Sequence, residues 1–246
     1  MRMKEDHMKN GQLKPAYNLQ LSTHGQYVVN YSIHPNPNDT LTLQPHLELY
    51  QSRYGFYPGT CTADAGYGSE ENYSYLKENS IEAFVKYGLF HKELSQENKP
   101  KRTYGLLENL YYDPGKDRYI CPMGQPMEAS GESTRKTSTG FVQHLRHYRA
   151  KNCAGCPLAA SCKPGKEGKT LQINRNLQEY KSQAKTLLTS AEGITRRKQR
   201  ATDVEPVFGN LKYNKGKGRY LLRGKEKVEI ETGLLVIAHN LAKMAG

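Results

Sequence analysis

Two acidic residues and a set of cysteines are the side chains of this sequence best suited to chemistry. Asp64 lies in the segment Ala-Asp-Ala-Gly-Tyr-Gly-Ser (63–69), and Glu205 lies in Val-Glu-Pro-Val-Phe-Gly (204–209). Carboxylates are hard oxygen ligands that suit Mg²⁺, and a pair of such ions can activate a hydroxyl and stabilise a leaving oxygen in phosphoryl transfer. An Asp after a strand is more often a solvated or helix-capping residue, so residue types alone leave both interpretations open.

The cysteines suggest a second kind of site. Four of the five have the spacing of zinc ligands, a close pair with two more distant partners: Cys121, Cys153, Cys156 and Cys162. His144 and His147 are reserve ligands, and unligated thiols remain the alternative. Cys61 stands apart and is most simply a small buried residue. An odd number of cysteines without an export signal indicates a reducing compartment.

The elements before residue 90 would position Asp64. Residues 17–34 alternate apolar and polar side chains around a turn at His24-Gly25, which predicts a β-hairpin. A short strand ending near Asp64, a helix over about 70–79 opened by Ser69, and a strand from residue 81 predict a parallel crossover unit. Asp64 would then lie at the carboxyl end of a parallel strand, where α/β sheets usually carry their chemistry.

The elements after residue 90 are less regular. Between about 91 and 190 only the segment 111–119 carries a clear hairpin signal, and Leu171–Ser190 is predicted to be helical. Apolar pairs four residues apart place Glu205 on a helix, which Pro206 predicts to begin close by. Thr202 and Glu205 also fit a capping box, an alternative role for Glu205.

A closing helix is predicted from about Glu229 to Lys243. Its apolar residues form one stripe that is predicted to pack onto the sheet: Leu234, Ile237, Ala238 and Leu241.

Charge points to a polyanionic partner. The chain has 36 Lys and Arg against 24 Asp and Glu, a net charge of +12 and a pI of about 9.4. Eleven basic residues against three acidic ones lie between Arg196 and Lys227. Because no apolar run is long enough for a membrane span and no signal peptide is recognisable, nucleic acid is the favoured polyanion over lipid, and the predicted location is the cytoplasm. Simple solubility is the alternative explanation of the charge.

Several blocks of the sequence resemble DDE-type bacterial insertion-sequence transposases, of the branch with a cysteine-containing insertion. Residues 63–73 resemble their second-aspartate block, and residues 204–241 resemble their third-acid block and closing helix. Tyr17-Asn18 and Asn38-Asp39 match the segment between the first two acidic positions. These blocks occur in the family's order over nearly the whole chain.

The resemblance implies a fold, a metal site and DNA contacts. The fold would be α/β, an RNase-H-like mixed sheet flanked by helices, with residues 1–90 and 191–246 forming the core and residues 91–190 a small cysteine-rich insertion domain. Asp64 and Glu205 would be catalytic residues that bind Mg²⁺, two ions in the intact enzyme. The residues expected to contact DNA are Lys212, Arg200, Arg219 and Arg223.

The sequence also departs from the family pattern. In Tyr-x2-Arg-x3-Glu-x6-Lys, the Arg position is Ala201 and the Tyr position is Lys198. The strand carrying the first aspartate would lie upstream of residue 1, since Asp6 has the neighbours of a charged linker. The resemblance therefore implies a truncated catalytic region, inactive alone, that would cleave and transfer DNA strands only in the intact enzyme.

Two other functions remain open. The chain could be a non-catalytic DNA-binding remnant or regulator, or a complete nuclease with a different acid. Its expected partners are DNA, both element ends and target, and a second copy or a full-length transposase, with no membrane. The expected location is the nucleoid.

Overall fold

A computed structural model gives the fold of residues 2–5, 10–96, 107, 110–162, 165, 168–216 and 218–245. The chain divides into two compact units, Met1–Gly88 together with Gln183–Gly246, and Leu89–Ser182. The chain combines helices with antiparallel and parallel strand pairs, so it is a mixed α/β protein. None of the helices in the described part of the chain has the length and apolar character to cross a membrane.

The strands are β1 (Arg2–Glu5), β2 (Leu13–Ala16), β3 (Asn18–His24), β4 (Tyr27–His34), β5 (Thr60–Ala63), β6 (Glu82–Val85), β7 (Tyr111–Asp113), β8 (Arg118–Ile120), β9 (Pro126–Lys136), β10 (Val142–Ala150) and β11 (Thr170–Ile173). The helices are α1 (Leu43–Tyr54), α2 (Glu70–Glu78), α3 (Phe90–Gln96), α4 (Ala159–Cys162), α5 (Arg175–Thr189), α6 (Ala191–Gly209) and α7 (Lys225–Ala245). A π-helical turn, Asn210–Asn214, follows α6 directly.

The first unit contains the predicted hairpin and the predicted crossover. β3 and β4 pair antiparallel from Asn18↔His34 to His24↔Tyr27, through a turn in which Gly25 and Gln26 have positive φ. β5 and β6 pair parallel, connected by α2, whose N-terminus is capped by Ser69. Both predictions are confirmed, and Asp64 follows the last residue of β5.

Close packing fixes the turn after Asp64. A Cβ on Gly68 would lie 2.4 Å from the backbone oxygen of Lys86, so only glycine fits where the turn approaches the end of β6. Within this crossover, the side chains of Leu76 on α2 and of Phe84 and Val85 on β6 are fully buried.

The helix that carries Glu205 begins much earlier than the sequence predicts. α6 begins at Ala191, capped by Ser190, and Pro206 lies in its last turn. A proline within a helix leaves the carbonyl four residues earlier without its N–H donor. Here that carbonyl belongs to Thr202, and the Gln26 side chain donates to it at 3.0 Å.

A contact from the hairpin thus compensates for the proline. The capping-box interpretation is also wrong. Thr202 lies well inside the helix and not at its N-terminus, and its hydroxyl donates to the Gln199 carbonyl.

The closing helix packs on β4 with the face opposite to the predicted one. The Asn240 side chain exchanges two hydrogen bonds of 2.9 Å with the backbone of Val28, and Gly233 lies against the Tyr31 ring. The predicted stripe is exposed, with Leu234 at 64%, Ile237 at 56% and Leu241 at 59%. The apolar positions were correctly placed on one stripe, but the opposite face, which includes Gly233, Val236 and His239, is the buried one.

The second unit is built on a five-stranded antiparallel sheet in the order β11-β10-β9-β8-β7. Its core contains five buried residues: Met127, Tyr148, Ala150, Leu171 and Ile173. The hairpin predicted at 111–119 is present as β7 and β8. The segment predicted as one helix from Leu171 begins instead as strand β11, and α5 follows it after Asn174, whose side chain accepts from the Leu177 N–H.

Candidate functional site

A cleft of about 680 Å³ lies in the first unit, and Asp64 is at its edge. Strands β3 and β5 line it with consecutive residues, Leu19–His24 and Thr60–Asp64. Helices α1 and α6 also line it, as do Asp39 and Tyr67. The cleft therefore lies between the hairpin and the parallel crossover.

Asp64 makes two ion pairs in this cleft. Its Oδ2 lies 2.6 Å from Arg200 Nη2 on α6, and its Oδ1 lies 3.5 Å from Lys86 Nζ, just after β6. The Asp64 side chain is 48% exposed and makes no capping hydrogen bond to the short helical turn that follows it. The capping interpretation of Asp64 is therefore not observed, and both carboxylate oxygens are bound by cationic side chains.

Asp39 is a second carboxylate in the cleft, and sequence reasoning did not single it out as a site residue. Its Oδ1 accepts hydrogen bonds from Asn18 Nδ2 at 2.9 Å and Gln20 Nε2 at 3.2 Å. The Tyr67 hydroxyl donates to the Gln20 side-chain oxygen. Burial raises the pKa of Tyr67, the Asp39 and Asp64 charges raise it further, and the Arg200 charge opposes them. The charges of both carboxylates therefore favour the protonated, neutral form of the Tyr67 hydroxyl.

Glu205, the other predicted metal ligand, is exposed and does not line the cleft. The α6 residues that line the cleft recur every three to four positions, which places them on one face of the helix. They are Arg196, then Gln199 and Arg200, then Asp203 and Val204, and finally Phe208. Asp203 is thus the acidic residue of α6 on the cleft side. The sequence signal that could have identified Asp203 is its position on the same helical face as Arg196, Arg200 and Val204. That face can be recognised only if the helix is known to begin at Ala191.

The residues predicted to contact DNA have different environments. Arg200 is bound to Asp64. Lys212, in the π-helical turn, is exposed and its Nζ lies 5.5 Å from the centre of the Phe208 ring. Arg219 and Arg223 are exposed in the segment between that turn and α7. Asp6 lies outside the described residues, but the residues before it, predicted to be a charged linker, form strand β1, which pairs antiparallel with β2.

The four cysteines of the second unit surround one small cavity of about 30 Å³: Cys121, Cys153, Cys156 and Cys162. Backbone N–H groups donate to two of the sulfurs, from Gln125 to Cys121 Sγ at 3.3 Å and from Lys169 to Cys153 Sγ at 3.4 Å. Burial raises the pKa of the Cys162 thiol, the Lys169 charge lowers it, and the other three cysteines raise it further.

The reserve ligands lie elsewhere. His144 and His147 do not line the cysteine cavity, and His147 Nε2 is 2.7 Å from the Ser133 hydroxyl. Cys61 belongs to the first unit, where burial raises the pKa of its thiol to about 12.

Neither set of residues is already a formed metal centre. Within the described ranges, no three His, Cys, Asp or Glu side chains are arranged so that they could hold a metal ion. For Mg²⁺, the donor chemistry is suitable but the Asp64 oxygens are bound by Lys86 and Arg200, and Glu205 does not line the cleft. For zinc, four thiols share a cavity, so the donor set fits but would have to close around the ion.

Comparison with known protein families gives one match. A family model described as "Transposase DDE domain" matches residues 120–245, just over half of the chain. No match was found among curated proteins or among solved structures.

Proposed function

Because the chain belongs to the transposase DDE domain family, we propose that it is part of the catalytic region of an insertion-sequence transposase. In the intact enzyme, this region would cleave element ends and transfer them to target DNA. The observation that carries the proposal is the position of Asp64, at the carboxyl end of a parallel strand and on the edge of a cleft that also contains Asp39 and Asp203. Carboxylates that line one cleft at the end of a parallel strand supply oxygen ligands of the kind that divalent cations use in phosphoryl transfer.

The proposed fold of the region is an RNase-H-like mixed sheet interrupted by a cysteine-bearing insertion. An antiparallel hairpin, a parallel crossover and helices α6 and α7, all in one unit, support the sheet. A separate unit, Leu89–Ser182, containing four of the cysteines supports the insertion.

We propose that the chain is inactive alone. Mg²⁺ would require carboxylate oxygens that are free to bind it, and both oxygens of Asp64 are bound by Arg200 and Lys86. Of the two acidic residues that the resemblance assigns to the metal, Asp64 lines the cleft and Glu205 does not. A two-ion site needs more ligands than this arrangement provides.

DNA is the proposed partner. The net charge of +12 would attract the phosphate backbone, and Lys212, Arg219 and Arg223 are exposed on the segment from the π-helical turn to α7. Such contacts orient a protein on DNA without reading its sequence.

The test of the DNA contact uses charge-neutralising variants. Arg219→Gln with Arg223→Gln should weaken gel retardation of a duplex and lower the slope of log affinity against log salt by about 2, since each phosphate contact contributes roughly 0.9. The matched control, Arg135→Gln with Lys151→Gln, removes the same charge from exposed positions of the other unit. Equal slopes for both double variants would refute the assignment.

The non-catalytic alternative is favoured by the same ion pairs at Asp64. Incubation of the chain with supercoiled plasmid and Mg²⁺ distinguishes a non-catalytic DNA-binding protein from a complete nuclease. We expect DNA retardation without nicking for the chain alone. Nicking that disappears in Asp64→Asn would instead identify a complete nuclease and overturn the proposed inactivity.

A structural zinc ion in the second unit is part of the proposal. Four thiols around one cavity, with backbone N–H groups directed at Cys121 and Cys153, support it. A chain purified with zinc should contain about one ion, and chelation should lower its melting temperature. Cys153→Ser should lose the ion, whereas Cys61→Ser should keep it. Equal zinc content in the two variants would contradict the site.

A further inference from the structure

Helix α7 has a second apolar face, which is in contact with solvent. Five large apolar side chains on this face are between 56% and 72% exposed, and together they define the outer α7 face: Ile230, Leu234, Ile237, Leu241 and Met244. The face that packs on the hairpin is a different one and contains the buried residues of the helix: Val228, Thr232, Gly233, Val236 and His239. The outer α7 face is therefore not needed to hold the helix in its own unit.

The outer α7 face has the spacing of a coiled coil. The intervals between its five residues alternate between four and three positions. A helix with this repeat carries its apolar side chains along one seam, where they insert between the side chains of a facing helix. The spacing therefore indicates that the missing cover is another helix.

The size of the outer α7 face fits a partner of its own length. Its exposed side chains amount to roughly 400–500 Å² of apolar surface, which is as large as the largest patch on most monomeric proteins. Two such helices, with the residues that flank the seam, would bury roughly 1,200 Å² in total, the lower limit for a specific complex. This area predicts a reversible association.

Helix α7 is also ordered before it pairs. The Asn240 side chain exchanges two hydrogen bonds with the backbone of Val28, which fixes the helix on β4. Short isolated helices are marginal in water because the first helical turn is costly to form. Since the hairpin already holds α7, pairing does not have to supply that free energy.

We propose that α7 pairs with α7 of a second copy of the chain and forms a symmetric antiparallel dimer. An antiparallel register matches the seam to itself in three kinds of layer, each present twice: Leu234 with Ile237 of the second copy, Ile230 with Leu241, and Lys227 with Met244. The aliphatic stem of the lysine covers the methionine. This dimer does not rest on the proposed function, since neither DNA nor a metal takes part in it.

The charges beside the seam favour the antiparallel orientation. In a parallel pair, Lys227 would face Lys227 of the second copy, and Glu226 would lie beside Glu231 of the second copy. In the antiparallel pair, Lys227 lies at the C-terminal end of the second helix, where the helix dipole is negative. Glu231 then lies beside Ala238 of the second copy and meets no like charge.

The segment that precedes α7 favours the same orientation. Residues 212–223 contain five basic side chains and no acidic one. A parallel pair would place two such segments side by side. The antiparallel pair separates them by the length of the helix, roughly 30 Å, which is well beyond the Debye length of about 8 Å at physiological salt.

Sedimentation equilibrium of the full chain tests the dimer. We expect a monomer–dimer equilibrium in nuclease-treated protein, with a similar dissociation constant at about 0.1 M and about 0.5 M NaCl, because the seam is apolar. A chain that stays monomeric up to about 100 μM would overturn the inference. A dimer that disappears after nuclease treatment or at high salt would also overturn it, because nucleic acid would then be the bridge.

A matched pair of variants locates the interface. Leu234→Glu places a charge in the two central layers and should raise the dissociation constant at least about a hundredfold. Leu13→Glu makes the same change at a similarly exposed leucine of β2 and should leave the constant unchanged. Leu234→Ala, which retains a good helix former, should raise it about tenfold, and circular dichroism reports the fold of each variant. Equal constants for Leu234→Ala and the wild type would place the interface elsewhere.

The orientation is tested at the outermost layer. In the antiparallel dimer, Met244→Glu places its carboxylate beside Lys227 of the second copy, so the dissociation constant should stay within about threefold of the wild type. Lys227→Glu combined with Met244→Glu replaces this attraction by repulsion and should weaken the dimer by a further factor of about ten. A double variant that dimerises as well as Met244→Glu alone would overturn the antiparallel register.

Discussion

The pH dependence of stability provides a stringent test of the structure through His46. This α1 side chain is buried against the hairpin, where its Nδ1 lies 2.6 Å from the Ser32 hydroxyl and its Nε2 lies 2.8 Å from the Ser22 hydroxyl. Burial, together with the nearby charges of His34 and Arg53, lowers the pKa of His46 to about 3. The imidazole is therefore neutral in the folded chain at pH 5, although it is largely protonated in the unfolded chain.

The size of the effect follows from proton linkage. Between the folded pKa of about 3 and the unfolded value of 6.5, the unfolded state binds one more proton at this residue than the folded state does. The free energy of unfolding therefore falls as pH falls, by about 1.4 kcal/mol per unit. Between pH 7 and pH 5 the loss from His46 is about 2 kcal/mol, because titration of the unfolded residue begins only near 6.5.

The assay is urea denaturation of the wild type and of His46→Gln at pH 7 and pH 5. The glutamine retains a polar side chain between the two serines but does not titrate, so its stability should depend less on pH by about 2 kcal/mol over this interval. His34 titrates in both proteins and cancels in the comparison to first order. Parallel pH dependences for the two proteins would refute the assigned burial of His46.

Two further predictions concern the surroundings of Asp64. Arg200→Gln removes the guanidinium bound to Asp64, so Mg²⁺ should raise the melting temperature of this variant more than that of the wild type, whereas exposed Lys198→Gln should respond as the wild type does. Without Mg²⁺ the lost ion pair should cost at most about 1 kcal/mol, because Asp64 is half exposed; an equal Mg²⁺ response in all three proteins would contradict the pairing. Gly68→Ala places a Cβ 2.4 Å from a backbone oxygen and should lower the free energy of unfolding by about 1–3 kcal/mol in urea titrations. Gly59→Ala meets no atom within 4 Å and should be nearly neutral, so equal losses for the two glycines would refute this account.

Local signals predicted the elements around Asp64 correctly. The hairpin and the crossover are each encoded by alternation or a helix cap next to a turn, and these signals need no information from the rest of the chain. Strand β9 was missed because it is mostly exposed and its residues Pro126–Lys136 include few apolar ones. Side-chain periodicity cannot reveal a strand with neither face deeply buried.

The site was harder to predict because its geometry depends on contacts between distant residues. The predicted start of α6 was wrong because the helix accommodates Pro206 in its last turn. Gln26 supplies the hydrogen-bond donor that the proline lacks, and this contact joins residues 176 positions apart. With the helix extended backwards, Asp203 faces the cleft and Glu205 does not. Asp39 was matched to a family block, but no local pattern indicated that Asn18 and Gln20 would hold its carboxylate in the cleft that Asp64 also lines.

The discontinuity of the first unit constrains how the protein is made. The hydrogen bonds between Val28 and Asn240 connect residues 212 positions apart. At ribosomal rates of about 5–20 residues per second, the nascent hairpin would wait roughly 10–40 s for the helix that covers it. Leu89–Ser182 is continuous and can complete its fold during that interval, so vectorial synthesis favours assembly of the inner unit first. Nascent chains released early would expose the part of the hairpin that α7 covers and would be natural clients of chaperones.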